Sequence, residues 1–209
     1  TFVGSPAELV SAGWDGSLKF WKNGQLVQTL KGHSGKVVSV AYSRTAGVLA
    51  SADENGKILL HRTQAAGFAP PATLDWAVGE GPGDPGQARR AHLTSIAINA
   101  DGTLLAASSW TKTITLWDIS TPQAPRKLAA FGPRLHKRVI YKLEFIPAGP
   151  SRNQLVSVDW NGLVGLWNTA SAPHDRLERS RNTGGGQGVS LFALAVHPQG
   201  PWVVGGDKR

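Results

Sequence analysis

The stretch Leu9-Val-Ser-Ala-Gly-Trp-Asp-Gly-Ser-Leu-Lys-Phe-Trp21 decides the fold, because the chain writes it four times. It recurs as Leu49-Ala-Ser-Ala-Asp-Glu-Asn-Gly-Lys-Ile-Leu-Leu-His61, as Leu105-Ala-Ala-Ser-Ser-Trp-Thr-Lys-Thr-Ile-Thr-Leu-Trp117 and as Leu155-Val-Ser-Val-Asp-Trp-Asn-Gly-Leu-Val-Gly-Leu-Trp167. The closing residues of successive copies lie 40, 56 and 50 positions apart. Self-similarity at this period marks a chain built from small units that cannot bury a core singly and must pack on one another.

Within a unit the pattern is that of short strands. Lys36-Val-Val-Ser-Val-Ala-Tyr42 alternates apolar and polar residues, and Val48-Leu-Ala-Ser51 follows a turn at Ala46-Gly47. Asn55-Gly56, a pair that tolerates positive φ, then turns the chain into Lys57-Ile-Leu-Leu-His61. Ala72-Thr-Leu-Asp-Trp-Ala-Val78 supplies a fourth strand. With these strands named a to d, each unit is a four-stranded antiparallel meander, and no stretch carries a long helical period. Small sheets of this kind bury both faces by packing radially, which predicts an all-β propeller.

The residues that recur point to a particular kind of propeller. Gly32-His33 precedes strand a, Ser11 and Asp15 precede Trp21, and Trp117-Asp118 closes a c strand. In these features the chain resembles the WD40 repeat family over essentially its whole length. In that family His, Ser or Thr, Asp and Trp form a hydrogen-bonded tetrad in each blade. The resemblance implies tetrad places for Ser11, Asp15 and Trp21 in the first unit, and for His33, Ser51 and Asn55 in the second, where His61 stands for Trp. In the fourth it implies His136, Ser157, Asn161 and Trp167. The third keeps Trp117 alone, with Arg89, Ala107 and Thr111 at the other places.

Alignment sets the expected units at 1–30 (strands b to d), 31–88, 89–133, 134–186 and 187–209 (strands a and b). Phe2 aligns with the end of strand a, while Leu191–Val196 and Trp202–Gly205 align with strands a and b of a fifth unit. Three complete blades and two partial ones do not close a ring, so the chain is expected to be a segment of a larger propeller, with the remaining blades among its partners. The Gly/Pro-rich run 79–86 and the Gly-rich run 182–188 read as loops between units.

The 22 Lys plus Arg against 14 Asp plus Glu leave a net charge of +8, which favours acidic partners: an acidic or phosphorylated peptide, or nucleic acid. There is no Cys, which excludes thiolate metal sites and Cys nucleophiles and suits a reducing cytoplasm. No apolar run reaches the ~18 residues of a membrane span. The six His are scattered without metal-ligand spacing, and no nucleophile elbow, phosphate-binding loop or dinucleotide fingerprint is present, so neither enzyme activity, cofactor nor metal is expected.

What remains is a surface. Where the resemblance holds, the turns between strands b and c and the loops leading into strand a share one face of the propeller. The residue before each expected tetrad acid is Trp14, Glu54, Trp110 or Trp160. The loops add Lys31, Lys36, Arg89, Arg90, Arg134, Lys137, Arg138, Arg179 and Arg181. Exposed Trp is enriched where interfaces concentrate binding energy. Two readings stay open: each Trp lies flat on a neighbouring blade, or Trp14, Trp110 and Trp160 with Lys36, Arg89, Arg90, Lys137 and Arg138 grip a protein or peptide. A sensor region of a larger bacterial signalling or defence protein, with a caspase-like protease, kinase or NTPase effector outside this chain, is a second reading. A third is a nucleic-acid-binding propeller.

Overall fold

In the computed structural model of the chain, residues 1–4, 7–75, 92–147, 153–170, 176–182, 191–196 and 203–207 are described. Among them there is no helix; every named element is a strand, and every pairing is antiparallel. The first sheet holds β1 (Glu8–Ala12), β2 (Leu18–Lys22) and β3 (Gln25–Leu30). The second holds β4 (Val37–Ser43), β5 (Val48–Asp53), β6 (Lys57–Gln64) and β8 (Ala72–Asp75), with β7 (Gly67–Phe68) pairing the far end of β6. The third comprises β9 (Leu93–Ile98), β10 (Leu104–Ser109), β11 (Ile114–Asp118) and β12 (Arg126–Phe131). The fourth comprises β13 (Ile140–Phe145), β14 (Gln154–Asp159), β15 (Leu163–Asn168) and β16 (Arg176–Asn182); β17 (Leu191–Val196) and β18 (Val203–Asp207) pair as a fifth piece. The expected loop at 79–86 and residues 183–188 of the Gly-rich run lie outside the described residues, as does the end of the strand expected over 72–78.

The fourfold repeat of the sequence becomes a fourfold repeat of register. Leu9 faces Trp21, Leu49 faces His61, Leu105 faces Trp117 and Leu155 faces Trp167 across the b–c pair. Three of the four c–d pairs carry a bulge at that Trp, between Phe20 and Trp21, Leu116 and Trp117, and Leu166 and Trp167. The second sheet has His61 there and no bulge; its c strand instead runs on to Gln64 and folds back through β7. Phe2 bridges Leu9 as Tyr42 pairs Leu49, so a remnant of strand a stands in register beside β1.

Side chains alternate between the two faces of a strand, and in β5, β10 and β14 both faces meet another sheet, so these b strands are buried almost throughout, whereas β1 buries only Val10. In β5, Val48, Ala50 and Ala52 pack with Leu93, Ile96 and Leu105 of the third sheet, while Leu49 packs with Val10, Leu18 and Phe20 of the first. In β10, Leu105 and Ala107 face the second sheet, and Leu104 and Ala106 face Ile140, Leu143 and Leu155 of the fourth. Val156 and Val158 of β14 continue the series against Leu194 of β17. The inner strands β4, β9, β13 and β17 are successive neighbours, which is the radial arrangement of propeller blades.

One hydrogen bond repeats between blades. The Ser39 hydroxyl in β4 accepts from the Ile96 backbone N–H in β9 at 3.1 Å, and Ser95, at the equivalent place in β9, accepts from the Leu143 N–H in β13 at 3.1 Å. Ser95 is 1% exposed, so water cannot replace it. We expect Ser95→Ala to leave the Leu143 N–H unpaired and to cost about 1–2 kcal/mol, read as a lower urea midpoint with an unchanged slope.

Candidate functional site

The turns between strands b and c are held by a buried polar network, most complete in the fourth sheet. Trp167 Nε1–H donates to Ser157 Oγ at 2.7 Å, and the same oxygen lies 2.7 Å from His136 Nε2. The other ring nitrogen, Nδ1, is 3.0 Å from Asp159 Oδ2. The second Asp159 oxygen accepts the backbone N–H groups of Asn161 and Leu163 at 2.9 and 3.1 Å. A single carboxylate thereby ties the loop that carries His136 to the turn that carries Trp160.

The second sheet repeats this with one member replaced. His33 Nε2 is 2.7 Å from Ser51 Oγ, and Nδ1 lies 3.3 Å from Asp53 Oδ2 but off the line of a hydrogen bond. Asp53 accepts from the N–H groups of Ser34, Asn55 and Lys57. Burial alone would push its carboxyl up, but those N–H donors and the neighbouring His33 together hold it below the usual carboxylate value. His61 fills the Trp place, 1% exposed, with Nδ1 3.0 Å from the Ala69 carbonyl oxygen and Nε2 without a partner. The β7 fold-back closes over it, setting Phe68 edge-on to the ring; Gln28 of β3 accepts from Phe68 N–H at 2.9 Å and donates to its carbonyl oxygen at 3.1 Å.

These contacts correct the expected place of the acid. The resemblance puts it at Asp15, Asn55, Thr111 and Asn161, but the carboxylates that meet His are Asp53 and Asp159, two residues before Asn55 and Asn161. The reason is the strand period: β5 and β14 extend to these residues, so Ser51 and Asp53, or Ser157 and Asp159, point to one face. Asn55 and Asn161 lie beyond, in the turn, and donate their backbone N–H to the carboxylates. Asp15 caps its own turn, accepting from Ser17 N–H and Oγ–H at 3.0 and 2.8 Å, and these bonds lower its pKa. Trp21 donates to Ser11 Oγ at 2.9 Å without any His. Trp117 Nε1 is buried without a partner, because Ala107 offers no hydroxyl. The spacing Ser-x-Asp in strand b was the signal that marks the true acid.

The Trp residues therefore follow the anchoring position directly. Glu54, Trp110 and Trp160 N–H donate to the carbonyls of Lys36, His92 and Val139, each at 3.0 Å, fixing three turns to their own strand a. The first turn, without a full strand a, leans on the second sheet: Val37 N–H donates to the Gly13 carbonyl at 3.2 Å. Side-chain exposure follows the anchoring, with Trp14 at 80%, Trp110 at 58% and Trp160 at 46%. Each has a neighbour at its ring: Lys36 Nζ stands 5.0 Å from the Trp14 ring centre, His92 5.2 Å from Trp110, and Tyr141 5.4 Å from Trp160. Trp110 and Trp160 thus do not lie flat on a neighbouring blade: their ring neighbours come from their own sheets and are tilted by 44° and 45°, while Trp14 meets the second sheet through Lys36.

All three Trp turns share one end of the blades. The last residues of β4, β9 and β13 (Val40–Ser43, Ile96–Ile98 and Lys142–Phe145) line one cleft of about 520 Å³, so their first residues, beside the Trp turns, gather at the opposite end. Lys36, Lys137 and Arg138 are exposed there, with Lys137 Nζ reaching the Pro133 carbonyl at 3.3 Å. Arg89 and Arg90 lie outside the described residues. No group of His, Asp and Glu among the described residues has the arrangement of a metal site, and no helix among them is long and apolar enough to cross a membrane.

Comparison with known proteins agrees with this geometry. Residues 24–62 and 83–118 match the WD domain, G-beta repeat. Two stretches of the chain are WD repeats in pattern. The first match begins just before β3 and ends in β6, so the repeat takes its opening strand from the sheet before and staples two blades together. The chain is similar to the target of rapamycin complex subunit wat1 of Schizosaccharomyces pombe, 25% identical over 205 residues, covering 96% of this chain and 56% of that protein. It is also similar to telomerase protein component 1 of Mus musculus, 27% identical over 133 residues, covering 60% of this chain and 4% of that protein. The chain thus spans about half of the first relative's length and a small fraction of the second's.

Burial holds His33 and His61 below the usual 6.5. As pH falls, the unfolded chain takes up these protons first, so their contribution is complete above 6.5 and is lost progressively below it. We expect the urea midpoint to decline on the acid side of 6.5, and His61→Phe, which leaves no orphan nitrogen, to decline less steeply by one proton taken up on unfolding.

Proposed function

We propose that the chain acts as a non-catalytic protein-interaction scaffold that recognises a protein or peptide through the face carrying Trp14, Trp110 and Trp160. The observation that supports this most is the recurrence of an exposed Trp at one turn position in three blades, each ring with a polar or aromatic neighbour beside it. An exposed large aromatic costs free energy in the isolated protein, and Trp is the side chain that interfaces use most as an anchor. Rigid sheets hold the turns, so the Trp spacing is set before a partner arrives and little ordering entropy is lost on binding. Lys36, Lys137 and Arg138 around the anchors favour an acidic partner, with Arg89 and Arg90 assigned to the same rim on sequence grounds. The names of the two relatives, a complex subunit and a protein component, accord with a role inside an assembly.

Peptides selected on the immobilised protein from a random display library should be rich in Asp and Glu. The triple variant Trp14→Ala, Trp110→Ala, Trp160→Ala should bind them at least tenfold more weakly, while its melting temperature stays within a few degrees of the parent. Equal binding by parent and triple variant would sink this function. A polynucleotide held more tightly than every selected peptide, with affinity falling steeply with salt, would transfer the face to nucleic acid.

A further inference from the structure

The four b–c turns share one backbone geometry, and one of them breaks its residue rule. Gly16, Gly56 and Gly162 occupy the third turn position with φ of 75°, 94° and 73°, where a left-handed conformation is required. Each donates its N–H to the anchoring residue three back, Gly13, Asp53 or Asp159. In the third sheet the same bond runs from Lys112 N–H to the Ser109 carbonyl at 3.1 Å, and Lys112 has φ of 66°. A Lys in this region is uncommon and strained, and strained residues persist where something other than folding retains them.

The surroundings of Lys112 say what that is. Its side chain is exposed, two residues from Trp110 on the same turn. Its carbonyl oxygen packs against Gly132, where an added Cβ would stand 2.8 Å away, so the turn abuts the loop that leads to β13. That loop carries Arg134, Lys137 and Arg138, all exposed. Neither Ser109–Thr113 nor Gly132–Val139 contains an acidic residue, and no ion pair to Lys112, Arg134 or Arg138 is formed among the described residues. Four exposed cations thus stand on two abutting segments next to Trp110, and none is in an ion pair among the described residues.

Resting on the scaffold function above, we propose that Lys112, with Arg134 and Arg138 across the seam between the third and fourth sheets, is the specificity-determining subsite that takes an anionic side chain of the partner peptide. The chemistry shared by its ligands is a carboxylate or phosphate oxygen cluster, which exposed Lys and Arg bind through charge-assisted hydrogen bonds. Trp110 anchors the neighbouring residue of the peptide, so affinity and charge selection are divided between two side chains of one turn.

The test uses the full chain and its Lys112→Gly variant, which removes the charge and restores the residue of the other three turns. The probes are two fluorescein-labelled peptides of one sequence, containing either three Glu or three phosphoserines, followed by anisotropy at low salt. Lys112→Gly is expected to melt about 2–4 °C higher, as relief of the turn strain requires. It is also expected to bind the probes about threefold to tenfold more weakly. A larger loss with the phosphoserine probe assigns the subsite to phosphate, and a larger or equal loss with the Glu probe assigns it to carboxylate. Undiminished binding of both probes by the variant, no rise in melting temperature, or no binding of either probe by the parent would each overturn the proposal. If the triple Trp variant loses the selected peptides while Lys112→Gly keeps them, this subsite alone fails and the scaffold function stands.

Discussion

The second strands of the second, third and fourth sheets are buried on both faces by sheets to which they are not hydrogen-bonded, and this double burial is the constraint from which the rest follows. A strand such as β5 or β10 has one row of side chains in the core behind it and the other row in the core ahead. Small residues fill many of these places (Ala50, Ala52, Ala106, Ala107), because two sheets must approach closely on both sides of one strand. Such a sheet has no face left for a ligand. Among the described residues the free surface of these sheets lies at the turns at the two ends of the blades, at the outer strands and in the cleft lined by the ends of β4, β9 and β13, and binding residues concentrate on such connecting segments.

What the turns can do depends on how firmly each is tethered. In the fourth sheet Asp159 receives both the turn and His136, and Trp160 is the least exposed of the three anchors. In the third, Ser109 stands at the carboxylate place, its hydroxyl bonded only within the turn to Thr111 at 2.6 Å, and Trp110 stands farther out. In the first, Gly13 offers no side chain at all, and Trp14 is the most exposed. The gradient in exposure tracks the loss of tethering groups from the fourth sheet through the third to the first. Apolar packing substitutes for the network: the second sheet, whose His61 cannot donate to Ser51 as Trp does, gains the Phe68 fold-back and its T-shaped contact with Phe20 at 5.3 Å.

Strand order and register were legible because both follow from period-2 alternation and turn chemistry, which are local and repeat four times. The position of Trp14, Trp110 and Trp160 at the b–c turns was legible for the same reason. The acid of the network was misplaced because the sequence motif counts from the closing Trp, whereas the His contact counts from the Ser, along the strand. Asp53 and Asp159 reveal themselves only when strand b is extended two residues. The β7 fold-back had no periodic signal: Gly67 and Phe68 form too short a strand to show alternation, and it exists because His61 leaves a space that Phe68 fills. Lys112 carries no sequence signal for a related reason, since its distinction lies in a backbone angle that composition does not display.

The third sheet concentrates the departures from the shared pattern. Ala107 withdraws the hydroxyl from Trp117, leaving a buried indole N–H without a partner, at a cost of about 1–3 kcal/mol. Ser109 replaces the acid, and Lys112 replaces the turn glycine. A fold that repeats one solution four times shows what the relaxed choice is at every position, so each departure can be weighed against three internal references. The sheet tolerates them because all six residues of β10 are buried, and because Asn99, wholly buried, binds its own turn and reaches Asn153 of the fourth sheet at 3.0 Å. The broken rules surround Trp110 on a turn that abuts the loop carrying Arg134, Lys137 and Arg138, and the proposed subsite is therefore set in the third blade rather than in the repeat that made the fold recognisable.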